Sequence, residues 1–513
     1  MTRRRLPVAT ILTAGLGLGL AGDFLLRAPG EPGLNGALLL AALAVSVAVV
    51  ALMGDRDLSP EGWVLVAVGV LSAGGLLWRG SELLRFLAFV AAAGAFALVA
   101  LHGGRAWVRR SGVTDLVEAV VAAGAHAVLG AVRLIRGGNP AVSGAEGSPA
   151  GGSTGRRIVR SALVGILLAA VPLVVFGALF ISADPVFAHM VQGLVRLDPE
   201  TFLSHLAVAG ILAWLASGYL AGFWFGTRLN RLREAAPARP SLGTAEVATA
   251  LGLVNLLFLA FVVVQFRYLF GGAGWVEVTP GVTYAAYARE GFFQLVVATA
   301  LGLPWLLAAD GLLADREGPG RRTFRAFAGS QLALLLVIVA SAVQRMRAYL
   351  EAYGLTEERF VATAVLVWLA LLILWFGATV LRGRRARFAF GALVSAYMLV
   401  AALHLANPTT YAARSHLDRY QESTSPASGS EASVDAAYLA SLGSDAALLL
   451  IGRLDELEEG DRCLVARGLL SRWGPDREWD WRSWNAADSR ARGVVKAEAG
   501  RLRTMAGNGG SCG

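Results

Sequence analysis

The sequence predicts an all-α protein, a polytopic transmembrane helical bundle of about eleven spans followed by a small external helical C-terminal domain. Three observations predict it. Hydrophobic residues make up 56% of the 513 residues and charged residues only 16%, whereas a soluble domain carries about 25% charged residues. Apolar runs long enough to cross about 30 Å of hydrocarbon recur up to residue 405. After residue 407 the composition becomes that of a soluble helical segment.

The predicted spans form two blocks. The first block has four apolar runs, near residues 7–26, 34–53, 62–78 and 83–101. The second block has seven, near residues 158–181, 203–227, 243–266, 289–309, 325–344, 360–381 and 388–405. We therefore divide the chain into an N-terminal four-span block (1–104), a cytoplasmic segment (105–157), a seven-span membrane domain (158–406), an external linker (407–433) and an external helical tail domain (434–513).

The cytoplasmic segment between the two blocks has two parts. Residues 113–136 are apolar but carry Asp115, Glu118, His126 and Arg133, a pattern that favours an amphipathic helix lying in the membrane interface. A re-entrant or poorly ordered segment is the alternative. Residues 137–155 are rich in Gly, Ser and Pro and indicate a flexible linker.

The arginines predict the orientation. When the N-terminus, with Arg3, Arg4 and Arg5, is placed in the cytoplasm, alternate loops collect most of the basic residues, as the positive-inside rule requires. The C-terminal tail then lies outside the cell membrane. In an alternative interpretation, the first apolar run is a signal peptide cleaved near Leu20-Ala21-Gly22. Cleavage would leave ten spans and the same external tail.

The tail domain is predicted to be helical throughout. Apolar residues recur with helical spacing over residues 434–457, and a second apolar pattern runs from Arg462 to Trp473. A domain of about 80 residues is near the lower size limit for an independent core. Cys463 and Cys512 both fall on the external side, where a disulfide is permitted, and the sequence leaves their pairing open.

Composition and motifs disfavour several functional classes. The net charge of +9 comes from short arginine clusters between apolar runs rather than from a basic face on a folded domain, which argues against nucleic-acid binding. No cofactor is indicated, because Lys496 is the only lysine and no Walker A loop is present. No metal site is indicated either: there is no HExxH motif, and His189 and His205 provide no helix-spaced pair of ligands.

Candidate functional residues concentrate in four external segments, at 182–187, 284–293, 344–356 and 407–414. One interpretation is interfacial anchoring, because Tyr favours the headgroup level and Arg extends its charge toward water. The other is a single polar site at the outer membrane surface, where gathered charges would shift one another's pKa. The members of that site would be Asp184, Arg289, Glu290, Arg345, Arg347, Glu351 and Asn407.

Five ordered motifs carry a resemblance to a known family. They are SADPVF (182–187), YAAYAREGFF (284–293), RMRAYLEAYGLTEERF (345–360), NPTTYAARSHLDRY (407–420) and DWRSWN (480–485). Through these motifs the chain resembles the bacterial membrane-protein family catalogued as domain of unknown function 4173, which is close to the group numbered 4153. The resemblance covers roughly residues 150–490. It implies a multi-pass bacterial protein with a helical tail, and it implies no activity and no catalytic residues.

Three functional hypotheses follow, and the lipid bilayer is a partner in each. The first is a non-enzymatic component of the cell envelope, a sensor, regulator or assembly partner whose tail contacts an envelope protein. The second is a transporter or lipid-handling permease. The third is an enzyme resembling glycosyltransferases that use a lipid-linked donor, with Asp23 just outside the first helix, although the first external loop is short for a catalytic loop.

Overall fold

The computed structural model of the chain describes residues 8–53, 58–102, 108–135, 199–225, 241–270, 284–314, 318–424, 435–507 and 512. These residues form helices and connecting turns, and the β-type pairing among them is confined to an isolated bridge between Leu242 and Leu313. The predicted all-α class is confirmed.

Eleven apolar helices among the described residues form the bundle. They are Val8–Leu26 (α1), Leu34–Met53 (α2), Pro60–Trp78 (α3), Glu82–His102 (α4), Val113–Ile135 (α5), Pro199–Phe225 (α6), Thr244–Phe270 (α7), Tyr284–Leu312 (α8), Pro319–Tyr353 (α9), Glu357–Thr379 (α10) and Arg385–Ala406 (α11). Helix Pro408–Thr424 (α12) leads to the tail domain. The tail domain contains Ala436–Ser441 (α13), Ala447–Gly452 (α14), Glu459–Trp473 (α15), Ala486–Ala497 (α16) and Ala499–Ala506 (α17).

The bundle is that of a multi-pass membrane protein. Ten of its described helices, α2 to α11, are long and apolar enough to cross a bilayer, and α1 contains a shorter apolar run, Thr10–Leu26. At about 1.5 Å per residue, about 20 residues cover the hydrocarbon thickness. Of the predicted spans, the run at 158–181 lies outside the described residues, and each of the others coincides with a helix of the bundle.

Helix α5 differs from the sequence prediction. The interfacial interpretation of residues 113–136 does not hold, because α5 lies inside the bundle, antiparallel to α6, with Gly130 directly against Gly218. The two carboxylates that suggested an interfacial helix, Asp115 and Glu118, belong to the first two turns of α5. The helix also carries His126 and Arg133, and its stretch Val113–Val132 is apolar and long enough to cross a membrane.

Helix α6 is packed between α1 and α5 through small residues. On one side, Gly15 and Gly19 of α1 face Ser217 and Ala213 of α6. On the other side, Gly218 of α6 lies against the backbone of α5. Small residues let membrane helices approach until their backbones touch, and this close contact is a main source of stability where lipid supplies no hydrophobic driving force.

The bundle has two halves with separate cores. One core unites α1 to α6, so the predicted N-terminal four-span block is not an independent unit. The other core unites α7 to α10 with the start of α11. A small cluster of Leu84, Val361 and Leu403 joins the halves, and the Tyr397 hydroxyl donates to the Ala91 carbonyl across the same boundary (3.0 Å).

The bundle also has two chemically different ends. At the tail end, α1 stops, α2 begins and the tail domain is seated, with the Leu34 N–H donating to the Trp484 carbonyl (2.9 Å). At the opposite end, which we call the basic end, α1 begins, α9 begins and α10 turns into α11. The arginines of the last two segments are Arg321, Arg322, Arg325, Arg382, Arg384, Arg385 and Arg387.

Asp310 ties several helices together at the basic end. Its fully buried side chain forms ion pairs with Arg321 at the start of α9 and Arg385 at the start of α11. Arg321 also donates to the carbonyl of Val380 (2.6 Å), just after α10. A buried charge is tolerated only when it is paired and hydrogen-bonded, so this cluster fixes the ends of α8 to α11 relative to one another.

The tail domain has a hydrophobic core of its own. Leu439, Val465 and Leu502, from three different helices, are each 0% exposed within it. A disulfide joins Cys463 to Cys512, with a Cα–Cα distance of 5.6 Å. The pairing that the sequence leaves open is therefore formed.

Helix α12 occupies part of the segment for which the sequence predicts a linker. Asn407 has a φ of 51°, in the left-handed region, and ends α11. Pro408 then starts α12, where its missing N–H costs nothing. Leu417 and Tyr420 of α12 are buried against the tail core, so the helix is part of the tail's packing.

Replacing Gly218 by leucine is expected to force α5 away from α6, because an added side chain would meet the carbonyl groups of His126 and Ala127. Overpacking a close contact costs about 1–3 kcal/mol. Gly210→Leu is the control on the same helix, since an added Cβ there has no atom within 4 Å. The melting temperature and the monodisperse yield of the purified protein measure the effect. Equal values for the two variants would contradict the close packing of α6.

Candidate functional site

The tail domain is seated on the turn between α3 and α4, which consists of Arg79, Gly80 and Ser81. In the tail domain, the Asp445 carboxylate accepts from the Arg79 guanidinium (3.2 Å) and from the Gly80 N–H (2.6 Å). The Arg79 Nε also donates to the carbonyl of His404 near the end of α11 (2.7 Å). The turn is thus held by the tail domain and by the bundle at once.

Asn485 joins the same turn to the start of α16. Its side chain is buried, with 1% exposure. The Nδ2 group donates to the carbonyls of Leu76 (2.7 Å) and Arg79 (2.8 Å), at a helix end where carbonyls lack helical partners. The Oδ1 atom accepts from the Ala487 N–H (2.8 Å) and caps α16. The side-chain amide of Asn485 therefore hydrogen-bonds backbone carbonyls at the end of α3 and a backbone N–H at the beginning of α16.

An ion pair between Arg85 and Asp488 forms the second charged contact of the junction. The two groups are 2.7 Å apart, and their side chains are only 5% and 21% exposed. Arg85 also donates to the Arg79 carbonyl (3.0 Å). Because both charges are largely removed from water, loss of either partner would leave the other without compensation.

Glu357, at the start of α10, connects three helix starts. Its carboxylate accepts from the Ser81 hydroxyl before α4 and from the Thr409 hydroxyl in the first turn of α12 (2.8 Å). Its backbone N–H donates to the Tyr438 hydroxyl oxygen in α13 (3.2 Å). The junction is therefore polar throughout, and several of its members are buried.

A cavity of about 760 Å³ lies between the bundle and the tail domain, beside these contacts. The charged residues that line it from the bundle are Glu31, Glu82, Arg85, Glu357 and Glu358. Those that line it from the tail domain are Arg472, Arg477, Glu478, Asp480, Asp488 and Arg492. The bundle side is thus mainly acidic, whereas the tail side carries most of the arginines.

Three arginines on the tail side have no carboxylate partner among the described residues. Arg472 donates to the carbonyls of Ser441 (2.6 Å) and Leu442 (2.9 Å), which leaves its charge uncompensated. Arg477 likewise donates to a carbonyl. The Nε and Nη1 atoms of Arg492 are buried and have no hydrogen-bond partner within the described part of the chain.

Arg492 is partly buried, and its environment shifts its pKa. Desolvation lowers the pKa of Arg492, and the nearby Asp488 carboxylate opposes that shift. The guanidinium lies 5.6 Å from the centre of the Trp479 ring, a distance at which a cation is attracted to an aromatic face. The site therefore holds a partly buried guanidinium, two of whose nitrogen atoms have no hydrogen-bond partner among the described residues.

The rim of the cavity at Trp479 and Asp480 continues into Trp481, which lies beside an exposed apolar face of α1. Leu20 and Phe24 lie on one exposed apolar face of α1, with exposures of 57% and 55%. The Trp481 ring, itself 50% exposed, lies 6.3 Å from the Phe24 ring. Arg482 donates to the Phe24 carbonyl (2.5 Å), and its bond to Asp480 lowers the pKa of that carboxyl. The segment that follows Trp479 is thus attached to the end of an exposed apolar stripe on α1.

The family relationship follows from residues 64–452, which match the family described as Domain of unknown function (DUF4153). The chain belongs to the DUF4153 family. The match agrees with the resemblance to the 4153 group, whereas assignment to the 4173 family is not confirmed. No curated protein and no solved structure matches the chain.

The DUF4153 match includes the α3–α4 turn, Glu357 and Asp445, and ends before Asn485 and Asp488. The junction therefore combines residues inside and outside the matched region. Because the family description names no activity, the function of the junction has to be argued from its own chemistry.

The residues predicted as an outer polar site are only partly described. Arg345, Arg347 and Glu351 lie on the last turns of α9, with Arg347 and Glu351 exposed. Asn407 forms the corner between α11 and α12, where its side chain accepts from the Thr410 N–H (3.3 Å). None of these four residues lines the junction cavity.

For the other three members of that predicted site, the structure describes no side chain. Arg289 and Glu290 belong to the first turns of α8, and their side chains lie outside the described set. Asp184 lies outside the described residues. A single site formed by all seven residues stays a prediction.

The turn after α9 holds α12 in place. Arg359 donates to the carbonyls of Tyr353 (3.1 Å) and Gly354 (2.5 Å). The His416 Nε2 faces the Leu355 carbonyl (2.9 Å), an arrangement that makes it the donor. Burial lowers the pKa of His416, so this contact is made by a neutral ring near pH 7.

Sequence reasoning did not select the residues that form the junction. Asn485 lies in the DWRSWN motif that carries the resemblance, but no chemical signal marks it. Arg79 and Arg85 did offer a signal, since they flank a short turn at the end where the positive-inside rule predicts few arginines. Their anionic partners, Asp445 and Asp488, come from the tail domain.

Replacing Asn485 by alanine is expected to loosen the tail domain, because it removes the α16 cap, the side-chain donor to the Leu76 carbonyl and one of the two donors to the Arg79 carbonyl. Each lost contact costs about 1 kcal/mol or more. Limited proteolysis of purified protein should release the tail domain faster. Asp476→Ala is the matched control, since the Asp476 side chain is 90% exposed in a surface ion pair. Equal cleavage rates for the two variants would contradict the role of Asn485.

Proposed function

We propose that the protein is a regulatory or sensory component of the cell envelope, in which the tail domain responds to a ligand at its junction with the membrane bundle. The observation that carries this proposal is the junction itself. Asp445, Asn485 and Asp488 of the tail domain hold the α3–α4 turn through polar contacts. A cavity large enough for a small molecule lies beside them.

The way the two parts are joined supports a regulatory function. The tail domain has its own core and a disulfide, and the bundle has separate cores. The tail can therefore move against the bundle without unfolding. Contacts made by ion pairs and hydrogen bonds are exchanged with water or a ligand more readily than an apolar core.

The proposed orientation places the basic end in the cytoplasm and the tail domain outside. Two independent features support it. Arginines concentrate in the segments at the basic end. The Cys463–Cys512 disulfide lies in the tail domain, and disulfides persist in oxidising compartments. The tail domain would then face the environment that an envelope sensor monitors.

The orientation is tested by two reporters fused after Gly513. A reporter that is active only outside the cytoplasm should be active there, and a reporter that requires the cytoplasm should be inactive. Both reporters fused after Met53, at the basic end of α2, should give the opposite results. A cytoplasmic signal after Gly513 would overturn the proposed orientation.

Locking the junction tests the regulatory function. A Cβ built on Gly80 would lie 3.2 Å from the Ser444 Cβ, close to the spacing of a disulfide. The double variant Gly80→Cys, Ser444→Cys should therefore tie the tail domain to the α3–α4 turn. Expressed in cells that lack the native copy, the locked protein should reach the membrane at normal levels and fail to support growth under envelope stress.

The Ser444→Cys single variant is the control for this experiment, and mild reduction should restore function to the locked protein. A static assembly partner would keep its function when locked. Native behaviour of the oxidised double variant, with the crosslink verified by electrophoresis, would therefore overturn the regulatory proposal.

The permease alternative is favoured by one observation in the bundle. Gln331 on α9 is 0% exposed, and both polar atoms of its amide have no partner among the described residues. Nearby, Asn255 on α7 donates to the Phe327 carbonyl (2.8 Å) and has an unused Oδ1 atom. Unsatisfied polar groups are costly in the membrane interior and often mark a pathway. In the same growth assay, Gln331→Leu should remain functional in a regulator and fail in a permease.

The enzyme alternative has less support. Asp23, the residue placed for catalysis by analogy, forms contacts with Arg27 (2.6 Å) and His205 (2.5 Å) between α1 and α6. Neither Asp23 nor Glu351 lines the junction cavity. Of the carboxylates that such an enzyme would use, the two that are described are therefore not gathered at the cavity.

A further inference from the structure

We infer that the junction cavity binds the headgroup of an amine-bearing phospholipid, with its phosphate at the tail-side arginines and its ammonium group at the bundle-side carboxylates. This inference rests on the proposed function, since it names the class of ligand to which the junction responds. It is carried by the charges of the two sides, by the donors of Arg492 and by the rim beside α1.

The tail side is suited to a phosphate. Arg472, Arg477 and Arg492 line the cavity without forming an ion pair within the described residues. Arginine presents several N–H donors in a planar fork that matches the oxygens of a phosphate. The buried Nε and Nη1 atoms of Arg492 have no other partner in the described chain, so an oxyanion at this point would satisfy donors that the protein leaves unused.

The bundle side is suited to a primary ammonium group. Glu31, Glu82 and Glu358 are exposed toward the cavity and form no ion pair among the described residues. They come from the α1–α2 loop and from the first turns of α4 and α10. A ligand with negative charge alone would be repelled by these carboxylates. A zwitterion with an anionic and a cationic end matches both sides of the cavity.

The rim indicates that the zwitterion comes from the membrane. Trp479 lines the cavity, and Trp481 lies beside Phe24 at the end of the exposed apolar stripe on α1. Tryptophan prefers the headgroup level of a bilayer. The cavity also borders the first turns of α4 and α10, where two membrane-crossing helices begin. A lipid headgroup can therefore enter from the side while its acyl chains stay along α1.

The test uses the full-length protein, purified in detergent, with native mass spectrometry to measure the binding of added short-chain lipids. Phosphatidylethanolamine should bind about tenfold or more tightly than phosphatidylglycerol, which lacks the amine, and than phosphatidylcholine, whose ammonium has no N–H donors. Arg492→Ala and Glu358→Ala should each weaken phosphatidylethanolamine binding about tenfold. Arg492→Lys should retain part of the affinity.

Arg503→Ala is the matched control, because Arg503 is a surface arginine of the tail domain that does not line the cavity. It should leave the lipid affinity unchanged. Equal binding of the three lipids, or equal binding by Arg492→Ala and native protein, would overturn the inference. Free phosphoethanolamine that binds as tightly as the lipid would overturn the membrane source.

The locking experiment separates this inference from the proposed function. If the locked variant loses function while lipid binding shows no headgroup preference, the ligand assignment fails and the regulatory function stands. If the preference is present while the locked variant works normally, the site exists and the regulatory function fails.

Discussion

The three-residue turn between α3 and α4 is the constraint on which the junction depends. It has to end one membrane helix and begin the next within Arg79, Gly80 and Ser81, where the helix ends leave backbone groups without helical partners. The bundle supplies only some of the hydrogen-bond partners of the turn, such as the His404 carbonyl and the Arg85 guanidinium. The rest come from the tail domain, through the amide of Asn485 and the carboxylate of Asp445. Docking of the tail domain thus follows from the need to satisfy polar groups at a helix end.

The same requirement explains why the two ends of the bundle differ. At the basic end, Asp310 satisfies Arg321 and Arg385 from within the bundle. At the tail end, Arg79 and Arg85 find their partners in a domain with a separate core. The ion pairs at the basic end are therefore formed within the membrane domain, whereas those of Arg79 and Arg85 are formed only while the tail stays in place. The tail end is therefore the end suited to a response to a ligand. The contacts between the tail domain and the bundle can separate there without loss of either core.

Much of the fold could be predicted from the sequence, because hydrophobic length is a local property. Helix-length apolar runs identify the described spans, and the confirmed all-α class follows from them. The charges interspersed over residues 113–136 favour an interfacial helix, because the sequence does not show that Gly130 meets Gly218 on α6. The polar composition of α12 likewise favours a linker. Its buried face is defined only by the core of the tail domain.

The junction could not be predicted, because its partners are far apart in the chain and ordinary in type. Asn485 and Arg79, for instance, are separated by 406 residues. What the sequence did show was an irregularity, two arginines at a turn on the less basic end. The structure explains the two arginines, because Asp445 contacts Arg79 and Asp488 contacts Arg85.

These separations also impose an order on biosynthesis. Asp445 follows Arg79 by 366 residues and Asp488 follows Arg85 by 403. At a synthesis rate of about 5–20 residues per second, the partners of the two arginines emerge roughly 20–80 s after the arginines themselves. During that interval the α3–α4 hairpin is inserted with two uncompensated charges at its tip. Arrival of the tail domain then supplies a carboxylate partner for each arginine and completes the polar contacts at the hairpin tip.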